Sequence, residues 1–438
     1  MIAATVSWSG TYALPSSTAP VAITMQIDGP AATVSLGPGH SGPTKVTVAV
    51  HGTHVRFSLP GLPQNVVFDG AVRGSQLSGK VTQGALRGTF ALRRGVSRIL
   101  SLLGVYRSGA GAGAAVVEAD GLPPVLIEFP SGATHGIGGA LTVGERLGDT
   151  SGNGSIAVDA NGFTWNGAHY ARLLLRRREV RVGVDAATLT LPPGAGPFPA
   201  AAMVHGSGPR TRDEFDLWTA YLALNGIAVL ADDKRGVGES GGRYPGEAAT
   251  DNTIDVLARD AQAEVRWLAR LPQIDPRRVG LVGDSQAGWI FARAAAREPA
   301  VRWAVSIVGP TVTVGETDDW GTLAGKSESP PSGSRASMLA QVRLAGPSGF
   351  DPAPSLRALS IPVLWMYGSD DRNVPTELCV DRLATLKPGH DFSWVVLPTA
   401  HTPLVLPTGL LSSLPRSPGF DPGFFPALLD WLRRHGLT

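Results

Sequence analysis

LVGDSQAGW, residues 281–289, is an apolar run that stops at a glycine, offers a single serine and restarts at once among small residues. A nucleophile held on a tight strand-to-helix turn needs that grammar, because small residues on both sides let the backbone bend sharply and lift the hydroxyl out of the fold. The same letters also suit a strand end followed by a helix N-cap serine. The surrounding chain has to decide between the two.

From residue 200 onward, apolar runs alternate with amphipathic stretches. AAAMVHG (200–206) reads as a buried strand and FDLWTAYLALNG (215–226) as a helix; GIAVLADD (226–233) is a second strand. The stretch after it sets Ile254, Leu257, Ala258, Ala261, Val265 and Leu268 at helical spacing. RVGLVGDS, a helix from Gln286 to about Arg297, VRWAVSIVG (301–309), IPVLWMYGS (361–369), DFSWVVLP (391–398) and the helix FFPALLDWLRRHG (424–436) complete the pattern. Apolar runs without alternation, each followed by a helix, predict an α/β fold with a mostly parallel sheet covered on both faces.

In such a sheet, functional side chains gather in the loops beyond the carboxyl ends of the strands. Ser285 follows VGLVGD, His205 follows AAMV, Asp370 and Asp371 follow VLWMYGS, and His401 follows WVVLPTA. Ser, then Asp, then His is the chain order of a hydrolytic triad on this kind of sheet. The chemistry needs these residue types. A serine hydroxyl is a weak nucleophile until an imidazole accepts its proton. The imidazole in turn needs a buried carboxylate to fix its tautomer and to tolerate its charge. A developing oxyanion needs preorganised N–H donors. The backbone N–H of Gln286 and that of Ser207, in the glycine-flanked loop after the first strand, are the candidates.

These residues resemble the α/β-hydrolase superfamily, and within it bacterial serine esterases with an N-terminal β-rich module. The resemblance rests on HGSGP at 205–209, DKRGVGES at 233–240, GDSQAG at 283–288, GSDDRNVP at 368–375 and the closing TAHTP, and covers residues 200–438. It implies an α/β-hydrolase fold and a serine carboxylic ester hydrolase working through an acyl-enzyme, with no cofactor and no metal. The family pattern Gly-x-x-Asp-x-x-Val-Pro fits Gly368, Asp371 and Val374-Pro375, which implies Asp371 as the acid and Asp370 as its neighbour. It also implies that His205 supports the oxyanion loop. His390 precedes the last strand and so lies at the opposite sheet edge. Asp233 and Arg235 read as a structural turn beside the site. One departure concerns the elbow, where Gly-x-Ser-x-Gly becomes Gly-x-Ser-x-Ala-Gly; Ala287 adds a methyl group, and the turn is expected to relax slightly.

Residues 309–358 interrupt the sheet pattern and are expected to form a cap over the active-site edge, or else an ordinary surface excursion. Trp289, Trp320 and Trp365 could line an acyl pocket, although large aromatics in this fold commonly serve packing. Cys379 belongs to no motif and is expected in the core or on a helix surface. Acyl transfer, lactone formation, thioester hydrolysis and amide or peptide hydrolysis use the same triad. A non-catalytic binding protein would be signalled by a missing member, and none is missing.

The N-terminal part follows a different period. Residues 1–94 carry short alternating strands (VAITMQIDG, KVTVAVHG, HVRFSLPG, LRGTFALRR) that predict an all-β barrel or sandwich. Its acidic residues are Asp28 and Asp69 against seven Lys and Arg, a basic balance that fits a solvated face. Residues 95–172 continue in β style, either as a subdomain or as an extension of the first, and the catalytic region is expected at 173–438. With 438 residues in all, more than one domain is the natural expectation. A net charge of +2 gives no reason to expect nucleic acid as a partner, so a small-molecule ester or acyl compound is the expected one. The single cysteine excludes an intramolecular disulfide framework and a multi-thiolate metal site. No apolar run is long enough to span a membrane. MIAATVSWSG lacks the basic and apolar segments of an intact signal peptide. Neither the compartment, cytoplasmic or secreted, nor the oligomeric state follows from these features.

Overall fold

The computed structural model describes residues 6–15, 21–28, 31–36, 44–59, 65–95, 102–117, 124–138, 141–149, 152, 154–326, 329–408 and 410–438. Residues 1–5 of the segment read for a leader, 118–123 within the β-style stretch 95–172, and 327–328 inside the 309–358 interruption lie outside these.

The C-terminal sheet has eight strands: β1 (Arg176–Val182), β2 (Asp185–Leu191), β3 (Phe198–Val204), β4 (Ala228–Asp232), β5 (Ile274–Asp284), β6 (Trp303–Ile307), β7 (Val363–Gly368) and β8 (Phe392–Leu397), ordered β1-β2-β4-β3-β5-β6-β7-β8. The β1–β2 and β2–β4 pairings are antiparallel and the rest parallel. The central strands are buried along their whole length, Ala228–Asp232, Trp303–Ile307 and Val363–Gly368 among them. That burial is why their sequences show no alternation. This is the mostly parallel, doubly covered sheet that the order of strands and helices predicts, arranged as the α/β-hydrolase fold that the resemblance implies.

Helices cover both faces: α1 (Asp216–Leu224), α2 (Asp251–Leu268), α3 (Ala287–Ala295), α4 (Val314–Ala324), α5 (Arg335–Ala345), α6 (Ala353–Arg357), α7 (Thr376–Leu386) and α8 (Phe424–Arg434). In α2 the Thr250 hydroxyl accepts the Thr253 N–H at 3.2 Å, and the stripe from Ile254 to Leu268 is buried against β3 and β5. Helices α4, α5 and α6 arise between β6 and β7. The first starts on a capping box in which Thr313 and Glu316 exchange hydrogen bonds. Trp320, Met338, Leu339, Val342 and Phe350 sink from this region into the main core.

Ahead of this sheet lie two antiparallel ones. In the first, nine strand segments run in the order Thr44–Thr47, Ala31–Leu36, Val21–Asp28, Val6–Ala13, Leu86–Gly95, Gln76–Gln83, Val66–Arg73, His54–Leu59, Ala49–His51. The two end segments are halves of one run broken only at Val48, so a single stretch of chain pairs with Ala31–Leu36 on one side and His54–Leu59 on the other. The sheet therefore closes on itself as an up-and-down barrel. Its interior is filled, with Phe57 stacked on Phe68 at 4.6 Å and Tyr12 and Phe90 edge-on to Phe68.

The second sheet orders Thr134–Gly136, Val125–Phe129, Gly113–Val117, Gly104–Ser108, Ala168–Arg172, Gly162–Trp165 and Ala157–Val158. One face (Tyr106, Val116, Leu126, Phe163, Trp165) has its own small core. The other face (Val105, Ala115, Ile127, Phe129) packs into the same cluster as Tyr221 of α1 and Phe425 of α8. Phe129 meets Tyr221 at 5.0 Å and Phe425 at 4.8 Å, and the Tyr221 hydroxyl donates to the Phe425 carbonyl at 3.0 Å. Among the described residues the barrel core shares none with this cluster; Lys45 reaches Glu239 at 2.7 Å, both exposed, a kind of pair that contributes only about 0–1 kcal/mol.

These two modes of attachment make opposite expectations for truncation. Removing residues 1–95 is expected to leave a soluble remainder whose thermal unfolding midpoint shifts little. Removing residues 1–172 bares α1 and α8 and should abolish soluble expression. Calorimetry and soluble yield check both; a stable, soluble 173–438 fragment would show that the shared core is dispensable.

Candidate active site

Ser285 is the first residue past β5 and takes φ +52°, the left-handed region that a non-glycine residue rarely enters. Its N–H donates to the Ile307 carbonyl at 2.9 Å, and its own carbonyl accepts the Gly288 N–H at 2.9 Å. The turn is therefore pinned from β6 on one side and by the start of α3 on the other. The close approach anticipated for a glycine at 287 falls to Gly288, where a Cβ would lie 2.8 Å from the Gly309 backbone. The Ala287 methyl is buried over Gly283, so the alanine is accommodated because residue 283 has no side chain.

His401 and Asp371 come from the loops after β8 and β7. His401 Nε2 lies 2.9 Å from Ser285 Oγ, and Nδ1 lies 2.8 Å from Asp371 Oδ2. Asp371 is fully buried, and its Oδ1 accepts the N–H groups of Asn373 at 2.7 Å and Val374 at 2.9 Å. Those two bonds turn the carboxylate edge toward the imidazole, and the Asp371 carbonyl takes the Trp320 indole N–H at 3.2 Å. Burial pushes the His401 imidazole down, but the charge and hydrogen bond of Asp371, with Asp284 behind, outweigh it and hold His401 above its ordinary value. A carboxylate, an imidazole and a hydroxyl in this sequence of contacts can deliver an alkoxide-like oxygen to a carbonyl carbon.

The oxyanion-loop candidates lie against the same serine. Gly206 faces Ser285 so closely that a Cβ on it would sit 3.3 Å from the serine Cβ and 3.0 Å from Asp284 Oδ2. Next to it, Ser207 is exposed, whereas Gln286 is buried at the start of α3. Among the described residues neither the Ser207 nor the Gln286 backbone N–H donates to another group. Two unpaired N–H groups beside an activated hydroxyl can receive a developing oxyanion.

The remaining candidates have other surroundings. Asp370 is exposed. His390 binds the Leu386 and Arg357 carbonyls and stacks on Phe392, far along the chain path from the serine loop. His205 is buried, contacts the Asp232 carbonyl at 2.7 Å through Nε2 and lies on Phe215. Asp233 receives the Arg212 guanidinium at 2.9 Å through both oxygens, and Arg235 forks onto Asp260. Trp289, Trp320 and Trp365 are all buried in the core. Cys379 is buried on α7, its thiol pushed up to about 11 by burial. No group of three or more His, Cys, Asp or Glu side chains among the described residues is arranged to hold a metal ion. Lys234, a residue that sequence reasoning passed over, lies 2.7 Å from the Gly206 carbonyl. Its signal was position alone, a lysine two residues past the end of a buried strand, at the carboxyl edge of the sheet.

The sheet order and the helices on its two faces are those of the α/β-hydrolase fold. Residues 213–401 match the sequence model of the prolyl oligopeptidase family. The chain is 29% identical over 218 residues to human acyl-coenzyme A thioesterase 1, covering 46% of this chain and 47% of that one. It is 30% identical over 124 residues to esterase FrsA of Klebsiella pneumoniae subsp. pneumoniae, covering 28% of each chain. The match thus spans half or less of the length of these curated relatives. The solved Pyrococcus furiosus esterase Pf2001 superposes with a TM-score of 0.42 at 17% identity, over 60% of this chain and 93% of that one. Among the described residues, no helix is long and apolar enough to cross a membrane.

Because Asp371 and not Asp370 meets the imidazole, the two aspartates should separate sharply by mutation. Asp371→Asn is expected to lower kcat by about four orders of magnitude through the wrong imidazole tautomer. Asp370→Asn should leave kcat nearly unchanged. Steady-state kinetics on a chromogenic ester decide it, and the reverse ranking would move the acid to Asp370.

Proposed function

We propose that the chain is a serine hydrolase that cleaves carboxylic esters through an acyl-enzyme. The observation that carries this reading is the unbroken run of contacts from Asp371 through His401 to Ser285 at the carboxyl edge of the sheet. In the first half-reaction, Ser285 Oγ attacks the ester carbonyl carbon while His401 Nε2 takes the hydroxyl proton. The carbonyl oxygen, now negative, is received by the N–H groups of Ser207 and Gln286. The tetrahedral adduct collapses, the bond to the alcohol oxygen breaks, and His401 returns the proton to that oxygen as the alcohol leaves. Water then attacks the acyl-enzyme with His401 as base, the acid departs and Ser285 regains its proton.

A thioester substrate is the second reading, favoured by the similarity to a human acyl-coenzyme A thioesterase over 218 residues. The steps are the same, with a thiol in place of the alcohol. An acyl transferase would differ only in the nucleophile that resolves the acyl-enzyme. Each reading calls for a small-molecule acyl compound as partner and for no cofactor.

A fluorophosphonate probe should label the wild type and not Ser285→Ala, and a panel of p-nitrophenyl and thioester substrates of graded acyl length should fix the class. Ser285→Ala and His401→Ala should each lower kcat by several orders of magnitude, and the double variant should be little worse, because triad members act as a unit. Additive losses would overturn the assignment. The pH profile supplies an independent check. His401 must be neutral to accept a proton, and Asp371 holds it above its ordinary value of about 6.5. Thus kcat/KM should fall as pH drops through a midpoint above that value.

A further inference from the structure

The turn after β4 carries three charged residues in succession, and two are committed to ion pairs, Asp233 with Arg212 and Arg235 with Asp260. Lys234 points the other way. It is 2% exposed, and its ammonium donates to the carbonyl oxygens of Gly206 at 2.7 Å and Gly208 at 3.2 Å and to Gln286 Oε1 at 3.3 Å. Among the described residues no carboxylate oxygen lies within 4.0 Å of it. Burying an ammonium is costly, and the oxygens that accept its hydrogen bonds are neutral ones, which its charge polarises.

The first of them matters most. The Gly206 carbonyl and the Ser207 N–H belong to one peptide unit, which is planar and trans, so the two bonds point in opposite directions. Fixing the carbonyl oxygen on Lys234 fixes the direction in which the Ser207 N–H points. A cation on the oxygen also draws electron density through the conjugated amide and strengthens the N–H as a donor. The Gly208 carbonyl, in a glycine at φ +90° before Pro209, holds the far side of the same short loop. Gln286 Oε1 ties in the residue that carries the second N–H. We propose that Lys234 is a positioning residue that orients and polarises the Ser207 N–H through the Gly206 peptide, and so couples both halves of the oxyanion site through one ammonium. This rests on the ester-hydrolase reading above.

The groups that face the ammonium are Arg210 and Glu214 from the loop after β3, Asp232 of β4, Asp284 of β5, and the ring of Tyr244 at 5.7 Å. Burial first, then the Arg210 guanidinium, pushes Lys234 down to about 8, against the pull of the three carboxylates. Its charge should therefore be lost in the mildly alkaline range, and with it the polarisation of the Gly206 peptide.

The test is Lys234→Met, which keeps an unbranched side chain and removes every donor, assayed on p-nitrophenyl acetate beside the wild type and Ser285→Ala. Removing one oxyanion donor outright costs about 10²–10³ in kcat; weakening and misaiming one should cost on the order of 10–100-fold. KM should change little, because the interaction strengthens only as negative charge develops. In the wild type, kcat should decline as pH rises through about 8, and the variant should lack that limb. Fluorophosphonate labelling of the variant should still go to completion, only more slowly, since Ser285 and His401 are intact. Unchanged kcat in a folded variant, a loss confined to KM, or an identical alkaline limb in both proteins would overturn the proposal. Should the variant not fold, the wild-type profile still decides, because the absence of any decline through about 8 overturns it equally. An inactive, unlabelled wild type would instead sink the ester-hydrolase reading itself, whereas an active wild type with a dead Ser285→Ala and an unaffected Lys234→Met would sink this inference alone.

Discussion

One backbone torsion organises the site. Ser285 sits at φ +52°, a conformation an L-residue adopts only when its surroundings leave no alternative. Those surroundings are parallel-sheet register. Gly283 and Asp284 pair with Ser306 and Ile307 of β6, and the next N–H, that of Ser285, still reaches the Ile307 carbonyl. The chain must then turn within two residues to begin α3, because Gly288 is pressed against Gly309 with no room for a side chain. Tight packing at that contact is what makes the strained turn the cheapest path between strand and helix. The hydroxyl is lifted off the sheet edge as a consequence. The same register sets the reach of the partners, since β6, β7 and β8 align in sequence and their loops end on the same side.

How much of this the sequence carried depended on whether the determining contacts were local. The strand–helix alternation from residue 200 was legible because full burial and amphipathic spacing leave periodic marks on the chain itself. Ser285, Asp371 and His401, which meet in the folded chain, were legible as candidates because each lies just past the carboxyl end of such a strand. Ala287 read as an intrusion into the elbow, yet the contact that demands glycine lies one residue on and involves Gly309, which no local pattern reveals. Closure of the N-terminal barrel was also hidden. It depends on the run around Val48 pairing on both sides, whereas alternation reports only that a strand has one buried face. The second sheet was ambiguous for a related reason. Val105, Ala115 and Ile127 look like any strand interior, and only α1 and α8, far along the chain, decide that this face belongs to the hydrolase core.

Charge placement was the least legible feature, because burial of a charge is a property of the assembled fold. DKRG reads as a polar turn. In the folded chain it divides into two partly buried ion pairs and one ammonium that faces the oxyanion loop. Behind that ammonium lies a cavity of about 30 Å³ lined by His205, Asp232, Asp260 and Glu264 as well as Lys234. Burial pushes the carboxyls of Asp232 and Glu264 above the usual carboxylate range and Asp185 up to about 8. Of the charged groups around this loop, the Lys234 ammonium is the one that donates to the Gly206 carbonyl, at 2.7 Å, and its field acts directly on that peptide. An oxyanion site built from backbone donors is commonly understood through the N–H groups alone. Here the groups behind the peptide plane have equal claim to attention, since a peptide dipole can be aimed from its oxygen as firmly as from its nitrogen.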